Sequence, residues 1–74
     1  MNIWVLSAWS ANSSLINEVM SLLFDEDLVR PKVVELFGED ETITTVKVER
    51  WYREEGTDDA SYYGYKMFYR DEME

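Results

Sequence analysis

The opening segment of the chain, residues 2–10, carries apolar side chains on both of its alternating faces. Ile3 and Val5 fall on one face, and Trp4 and Leu6 fall on the other. A short run with this pattern is typical of a strand that is covered on both faces or lies inside a sheet. The pattern predicts a strand over residues 2–10, and it leaves open which of the two tryptophans in the segment is exposed.

After a serine-rich break, the apolar positions change to a helical spacing. Five of them recur at i, i+1, i+4, i+5 and i+8, namely Leu15, Ile16, Val19, Met20 and Leu23. This spacing places them on one face of a helix. Ser13 or Ser14 can cap such a helix by accepting a hydrogen bond from its first free N–H groups. The spacing therefore predicts a helix over residues 14–24.

A second helix is predicted over residues 28–37. Asp27 stands where a helix cap is favoured, and Pro31 falls in the first turn, where its missing N–H costs little. Gly38 is placed to end the helix in a left-handed conformation. One bent helix across both segments is the alternative. The acidic run that starts at Asp25 lacks the glycine and glutamate spacing of a calcium loop, so no metal site is predicted there.

Residues 42–53 and 60–70 indicate two strands joined by a polar turn. The stretch from 42 to 70 holds seven of the eleven aromatic residues of the chain. The register must place the apolar residues of both strands on one side, because a one-residue slip moves every side chain across the sheet. A pairing of Trp51 with Gly64 meets this condition, and it also brings Glu49 opposite a lysine.

This pairing predicts an outer face that carries aromatic and basic side chains. Val48 and Met67 are expected to face the helices instead. Aromatic residues and arginine are the usual anchors of protein interfaces. Five outer-face residues are therefore predicted to bind a partner: Trp51, Tyr62, Phe68, Arg53 and Lys66.

The predicted elements give an α+β fold in the order β-α-α-β-β. Its three-stranded sheet is expected to be predominantly antiparallel, with one or two helices on one face. A chain of 74 residues suffices for a single domain, residues 1–74, and buries only about 60% of its unfolded surface. The predicted last segment, residues 71–74, is an acidic tail, and the order of the strands in the sheet is left open.

The composition argues against most kinds of catalytic mechanism. The chain contains no cysteine and no histidine. It therefore lacks disulfides, thiolate ligands, the commonest general base and the commonest transition-metal ligand. None of its glycines belongs to a phosphate-binding motif. We expect no enzyme activity, no catalytic residues, no metal and no cofactor.

Sixteen acidic and seven basic residues give a formal charge of −9, which favours basic partners over nucleic acid or anionic membrane. Six carboxylates are expected to converge at one end of the hairpin, and we call them the acidic pole: Glu39, Asp40, Glu41, Asp71, Glu72 and Glu74. The expected partner is a protein with a basic surface. Direct binding of nucleic acid or insertion into a membrane is not expected, and the absence of cysteine favours a cytoplasmic location.

The WVLSAW sequence of the first strand, the tyrosine-rich final hairpin and the acidic tail resemble the layout of small accessory proteins of tailed bacteriophages. This group includes host-takeover factors and anti-defence inhibitors, and some of them mimic nucleic acid. The resemblance implies a protein that inhibits or modulates a host protein in the host cytoplasm by occupying its surface. The alternatives are a nucleic-acid mimic that blocks a DNA- or RNA-binding protein, and a structural homodimer.

Overall fold

Four antiparallel strands form the sheet of the computed structural model, which describes residues 1–10 and 13–73. In chain order the elements are β1 (Asn2–Ser10), β2 (Ser13–Leu23), a 3-10 turn (Glu26–Leu28), α1 (Val29–Glu39), β3 (Ile43–Arg53), β4 (Ala60–Tyr69) and a short α2 (Arg70–Met73). The strand order is β2-β1-β3-β4, and every neighbouring pair is antiparallel. The predicted α+β class and antiparallel sheet are confirmed.

The segment predicted as a helix over residues 14–24 contributes β2 instead, which corrects both the three-stranded sheet and the β-α-α-β-β order. β2 pairs with β1 from Ser10 back to Trp4, and the register shifts twice along this pair. A strand with register shifts does not keep a strict alternation of apolar and polar residues. Its apolar spacing then resembles the face of a helix, and periodicity alone cannot separate the two.

β1 lies inside the sheet, between β2 and β3. Its Trp4, Leu6 and Ala8 are buried in the core, whereas Trp9 lies half-buried on the other face. On each face of an inner strand, the side chains pack between those of two neighbouring strands. This accounts for the apolar residues on both faces of the segment. Of the two tryptophans, Trp4 belongs to the core.

The core lies between α1 and one face of the sheet. The helix contributes Val29, Val33, Leu36 and Phe37, and the sheet contributes Trp4, Leu6, Ala8, Ile43, Val46, Val48 and Phe68. We call this side of the sheet the helix face. The opposite side, which carries Lys47, Glu49, Trp51, Tyr62 and Tyr65, is called the open face.

The helix predicted over residues 28–37 is preceded by the 3-10 turn and ends two residues later than expected. The cap of the turn is Asp25 and not Asp27, because the Asp25 carboxylate accepts a hydrogen bond from the Asp27 N–H at 2.9 Å. Gly38 lies inside α1 and has no positive φ, so its predicted left-handed conformation is wrong. The chain leaves the helix through Asp40, which is extended.

α1 covers only part of the helix face. Its eleven residues span about 16 Å, whereas the eleven residues of β3 span about 37 Å. Val46 and Val48 lie under the helix and are buried, but Arg50 and Tyr52, farther along the same face, are exposed. The half of the helix face nearest the hairpin turn therefore stays open.

β3 and β4 pair in a different register from the predicted one. Gly64 lies opposite Arg50 and not opposite Trp51. One extra residue of β4, Tyr63, separates this pair from the pair formed by Trp51 and Tyr62. Such a bulge changes which residues of a strand share a face, so the residues of β4 after Gly64 lie on the face opposite to the predicted one.

The burial of Phe68 explains why the observed register is preferred. Phe68 lies opposite Val46 on the helix face and is part of the core. The predicted register would have placed Met67 and Tyr69 there, and the tyrosine hydroxyl would have needed a hydrogen-bond partner inside the core. Burying the phenylalanine avoids this cost. Lys66, two residues before Phe68 in β4, lies on the helix face for the same reason.

Candidate interaction surface

An exposed aromatic cluster lies on the open face near the hairpin turn. Trp51 and Tyr62 occupy opposite positions on β3 and β4, and their ring centroids lie 5.1 Å apart at an interplanar angle of 60°. Tilted ring pairs at this distance attract each other. Tyr62 is 47% exposed and Tyr65 is 63% exposed, whereas Trp51 is half-buried, so the cluster presents mainly its tyrosines to solvent.

Lys47 borders this aromatic cluster. Its Nζ lies 5.0 Å from the centroid of the Tyr65 ring and 4.0 Å from Glu49 Oε2. The negative face of the ring and the carboxylate both attract the ammonium group. The lysine is thus held beside the cluster, and Glu49 offsets part of its charge.

Arg53 lies two residues after Trp51 and stabilises the turn that follows it. Its Nε donates a hydrogen bond to the carbonyl oxygen of Thr57 at 2.9 Å, and a terminal nitrogen donates to Asp58 Oδ1 at 3.2 Å. Both partners of this ion pair are exposed, so it contributes little to the stability of the fold. Arg53 therefore lies at the end of the aromatic cluster that is nearest the hairpin turn.

The open face brings together three of the five residues predicted to bind a partner, Trp51, Tyr62 and Arg53. The other two, Lys66 and Phe68, lie on the helix face. Phe68 is only 9% exposed and belongs to the core. The prediction that all five share an outer face is therefore wrong, and the cause is the register of β4.

Three residues of β4 that were not predicted belong to the open face: Tyr65, Met67 and Tyr69. The sequence did contain a signal for them. Phe68 is the only aromatic residue of β4 without a hydroxyl, so it is the one best suited to the core. Because side chains alternate along a strand, burying Phe68 sends the residues on either side of it to the open face.

Asp40 lies in the first half of the acidic pole, residues 39–41, and is held in place by Thr42. Its Oδ1 accepts hydrogen bonds from the hydroxyl of Thr42 at 2.6 Å and from the N–H of the same residue at 2.9 Å. These bonds, the hydroxyl one foremost, hold the pKa of the Asp40 carboxyl below its ordinary value, since they stabilise the charged form. Arg70 lowers this pKa further by its positive charge.

Arg70 joins the two halves of the acidic pole. A terminal nitrogen of its guanidinium donates to the carbonyl oxygen of Asp40 at 2.8 Å. The acidic residues placed near this contact by the ends of α1 and α2 are Glu39, Asp40, Glu41, Asp71 and Glu72. Glu74, the sixth predicted member, lies outside the described residues. Arg70 is thus a cation inside the acidic pole.

Within residues 1–10 and 13–73, no group of three or more acidic side chains is arranged to hold a metal ion. No helix of that part of the chain is long and apolar enough to cross a membrane.

Comparison of the chain with protein-family models, with curated proteins and with solved structures finds no match.

Proposed function

We propose that the chain is a non-catalytic binding protein that inhibits or modulates another protein by occupying its surface. The observation that carries the proposal is the pair formed by half-buried Trp51 and exposed Tyr62 on the open face. Tryptophan and tyrosine are the side chains that most often dominate the free energy of protein binding. In the described part of the chain, α1 packs against the other side of the sheet and leaves this pair accessible.

The apolar surface extends beyond the aromatic pair across the sheet. Ile3 of β1 lies opposite Trp51, which lies opposite Tyr62, so these three residues form a row over three strands. Val5 lies on the same face two residues after Ile3 and is half-buried. A continuous apolar row of this kind offers a partner a flat, rigid contact surface.

The rim of the open face indicates the charge of the partner. Four exposed carboxylates of the hairpin turn follow the aromatic pair: Glu54, Glu55, Asp58 and Asp59. Together with the formal charge of −9, they favour a partner whose apolar patch is surrounded by basic residues. Acidic charge of this size also speeds the encounter with a basic surface and slows it at high salt.

Blocking is the simplest mechanism for such a domain. It needs only that the open face cover a surface that the partner uses for its own substrate or subunit. The resemblance to bacteriophage accessory proteins supports a host protein in the cytoplasm as the partner.

The test compares Trp51→Ala with Tyr52→Ala. These neighbours in β3 point to opposite faces, so the second variant is a matched control for loss of an aromatic ring. The wild-type chain is used to capture partners from a lysate of its native host, and each captured protein is purified. Its affinity for the wild type and the two variants, and its activity with and without the chain, are then measured.

We expect Trp51→Ala to weaken binding at least about 30-fold, equivalent to about 2 kcal/mol, and Tyr52→Ala to leave it nearly unchanged. We also expect the wild-type chain to reduce the partner's activity. Equal affinity of the two variants would remove the open face as the binding surface. Dimerisation of the purified chain that is lost in Trp51→Ala would assign the open face to a homodimer instead.

A further inference from the structure

A groove lies on the half of the helix face that α1 does not cover. Its volume is about 480 Å³, and it runs between the start of α1 and the β3–β4 floor. Three cationic side chains line it, Arg30 from the helix and Arg50 and Lys66 from the sheet. The chain has only seven basic residues, so nearly half of them meet in this one place.

The charge of the groove is opposite to that of the whole molecule. Among the described residues, Glu26 is the only acidic one that lines it, so three positive charges and one negative charge give a formal +2. Within the described part of the chain, none of the three cations forms an ion pair, since the pairs there join Lys32, Lys47 and Arg53 to acids. In a chain whose total formal charge is −9, an uncompensated basic groove is unexpected unless an anion occupies it.

Neutral groups hold two of the three cations, Arg50 and Lys66, in position. Arg50 donates a hydrogen bond to Asn2 Oδ1 at 3.3 Å, and its guanidinium carbon lies 6.0 Å from the centroid of the Tyr63 ring. Lys66 Nζ lies 5.1 Å from the centroid of the Phe68 ring. These contacts fix the side chains and leave their charge available, because neither an amide oxygen nor a ring carries a formal negative charge.

Tyr63 and Gly64 shape the groove beside Arg50. Tyr63 is 64% exposed, and its ring offers a planar surface for stacking. Gly64 lies opposite Arg50, and a Cβ built on it would meet no atom within 4 Å, so the floor is open at this point. The bulge in β4 therefore places an exposed ring and an empty floor position next to an arginine.

We propose that this groove binds a phosphate monoester attached to a planar ring, as in a nucleoside monophosphate. A phosphate monoester carries a charge of about −1.5 to −2 at neutral pH, which matches the +2 of the groove. Arginine presents paired N–H donors that suit phosphate oxygens, and a tyrosine ring stacks on a base. A volume of 480 Å³ lies in the range of pockets for small organic ligands.

The groove and the open face are on opposite sides of the sheet, so this proposal does not rest on the proposed function. The same chemistry could come from a free nucleotide or from a phosphorylated tyrosine side chain. Adenosine 5′-monophosphate and phosphotyrosine are therefore both used as probes. Adenosine and inorganic phosphate test the ring and the phosphate separately.

The experiment titrates each probe into the isotope-labelled full chain and follows the backbone amide signals by NMR. We expect adenosine 5′-monophosphate or phosphotyrosine to shift the signals of Arg30, Arg50 and residues 63–66. Arg50→Ala and Lys66→Ala should each weaken this binding at least about tenfold, as expected for loss of a charge-assisted hydrogen bond. Lys47→Ala is the matched control, since it removes one charge on the open face.

Each outcome decides the proposal. Preference for adenosine 5′-monophosphate indicates a nucleotide, and preference for phosphotyrosine indicates a modified side chain. Inorganic phosphate that binds as tightly as either probe would overturn the role of the ring. Absence of shifts up to about 1 mM, or an equal loss in Lys47→Ala, would overturn the site itself.

Discussion

At the scale of single residues, Arg70 makes more tertiary hydrogen bonds to backbone than any other described side chain. Its guanidinium donates to the carbonyl oxygens of Phe37, Asp40 and Ile43 at 2.9, 2.8 and 2.8 Å. It also lies 5.0 Å from the centroid of the Phe37 ring. One side chain thus joins the end of α1, the loop after it and the start of β3.

We predict that Arg70→Ala lowers the free energy of unfolding by about 2–4 kcal/mol, because a charged donor with several backbone acceptors is lost and the acceptors remain. Arg70→Lys should recover only part of this loss, since an ammonium cannot reproduce the planar fork of the guanidinium. Urea denaturation followed by circular dichroism measures both changes.

Arg53→Ala is the control for Arg70. Its ion pair with Asp58 is exposed, so the expected loss is below about 1 kcal/mol. Equal losses in Arg53→Ala and Arg70→Ala would mean that Arg70 does not hold the elements together.

At the scale of elements, Gly38 and Gly64 should respond to alanine with opposite signs. Gly64 lies in β4 with φ +130°, a conformation that strains any other residue by about 1–3 kcal/mol. Gly38 lies inside α1 without a positive φ, and a Cβ there would meet no atom within 4 Å. Alanine at this position should stabilise the helix by about 0.5–1 kcal/mol.

Thermal unfolding of Gly64→Ala and Gly38→Ala gives this comparison. The midpoint should fall for the first variant and rise for the second. A rise for both would show that Gly64 adopts an ordinary strand conformation, and the bulge would then have to be placed elsewhere.

The first two strands show which elements the apolar pattern of the sequence can predict and which it cannot. The apolar pattern of residues 2–10 predicted a strand that is covered on both faces or lies inside a sheet, and the structure has the inner strand β1 there. The helix predicted over residues 14–24 was wrong because the register of β2 shifts twice against β1, and these shifts interrupt the alternation of a regular strand.

The candidate surface depended on a register that no local pattern determines. Trp51 could be assigned to the open face from β3 alone, since β3 alternates regularly from Val46 onwards. The alternation of β4 by itself did not assign Lys66 and Phe68 to the correct face, because the extra residue Tyr63 changes the pairing of the strand. The choice between registers rests on which side chain fills the core under α1, and that is a tertiary effect.

At the scale of the whole molecule, the acidic charge opposes folding by self-repulsion. The chain carries sixteen acids and seven bases, and the longest extent of the structure is 40 Å. At about 10 mM salt the Debye length is about 30 Å, so charges interact across most of the molecule. Glu39 adds to this cost, since it lies in the last turn of α1, at the negative end of the helix dipole.

We therefore predict that sodium chloride raises the thermal midpoint. Between about 10 mM and 300 mM, screening should contribute about 1 kcal/mol, which corresponds to about 4–8 °C for a domain of this size. A chain with Glu39→Gln and Glu41→Gln should start from a higher midpoint and respond less to salt, because two repelling charges of the acidic pole are gone. A midpoint that falls with salt in the wild type would instead show that attractive pairs such as Lys32–Glu35 dominate. An equal salt response in both chains would show that the acidic pole is not a main source of the repulsion.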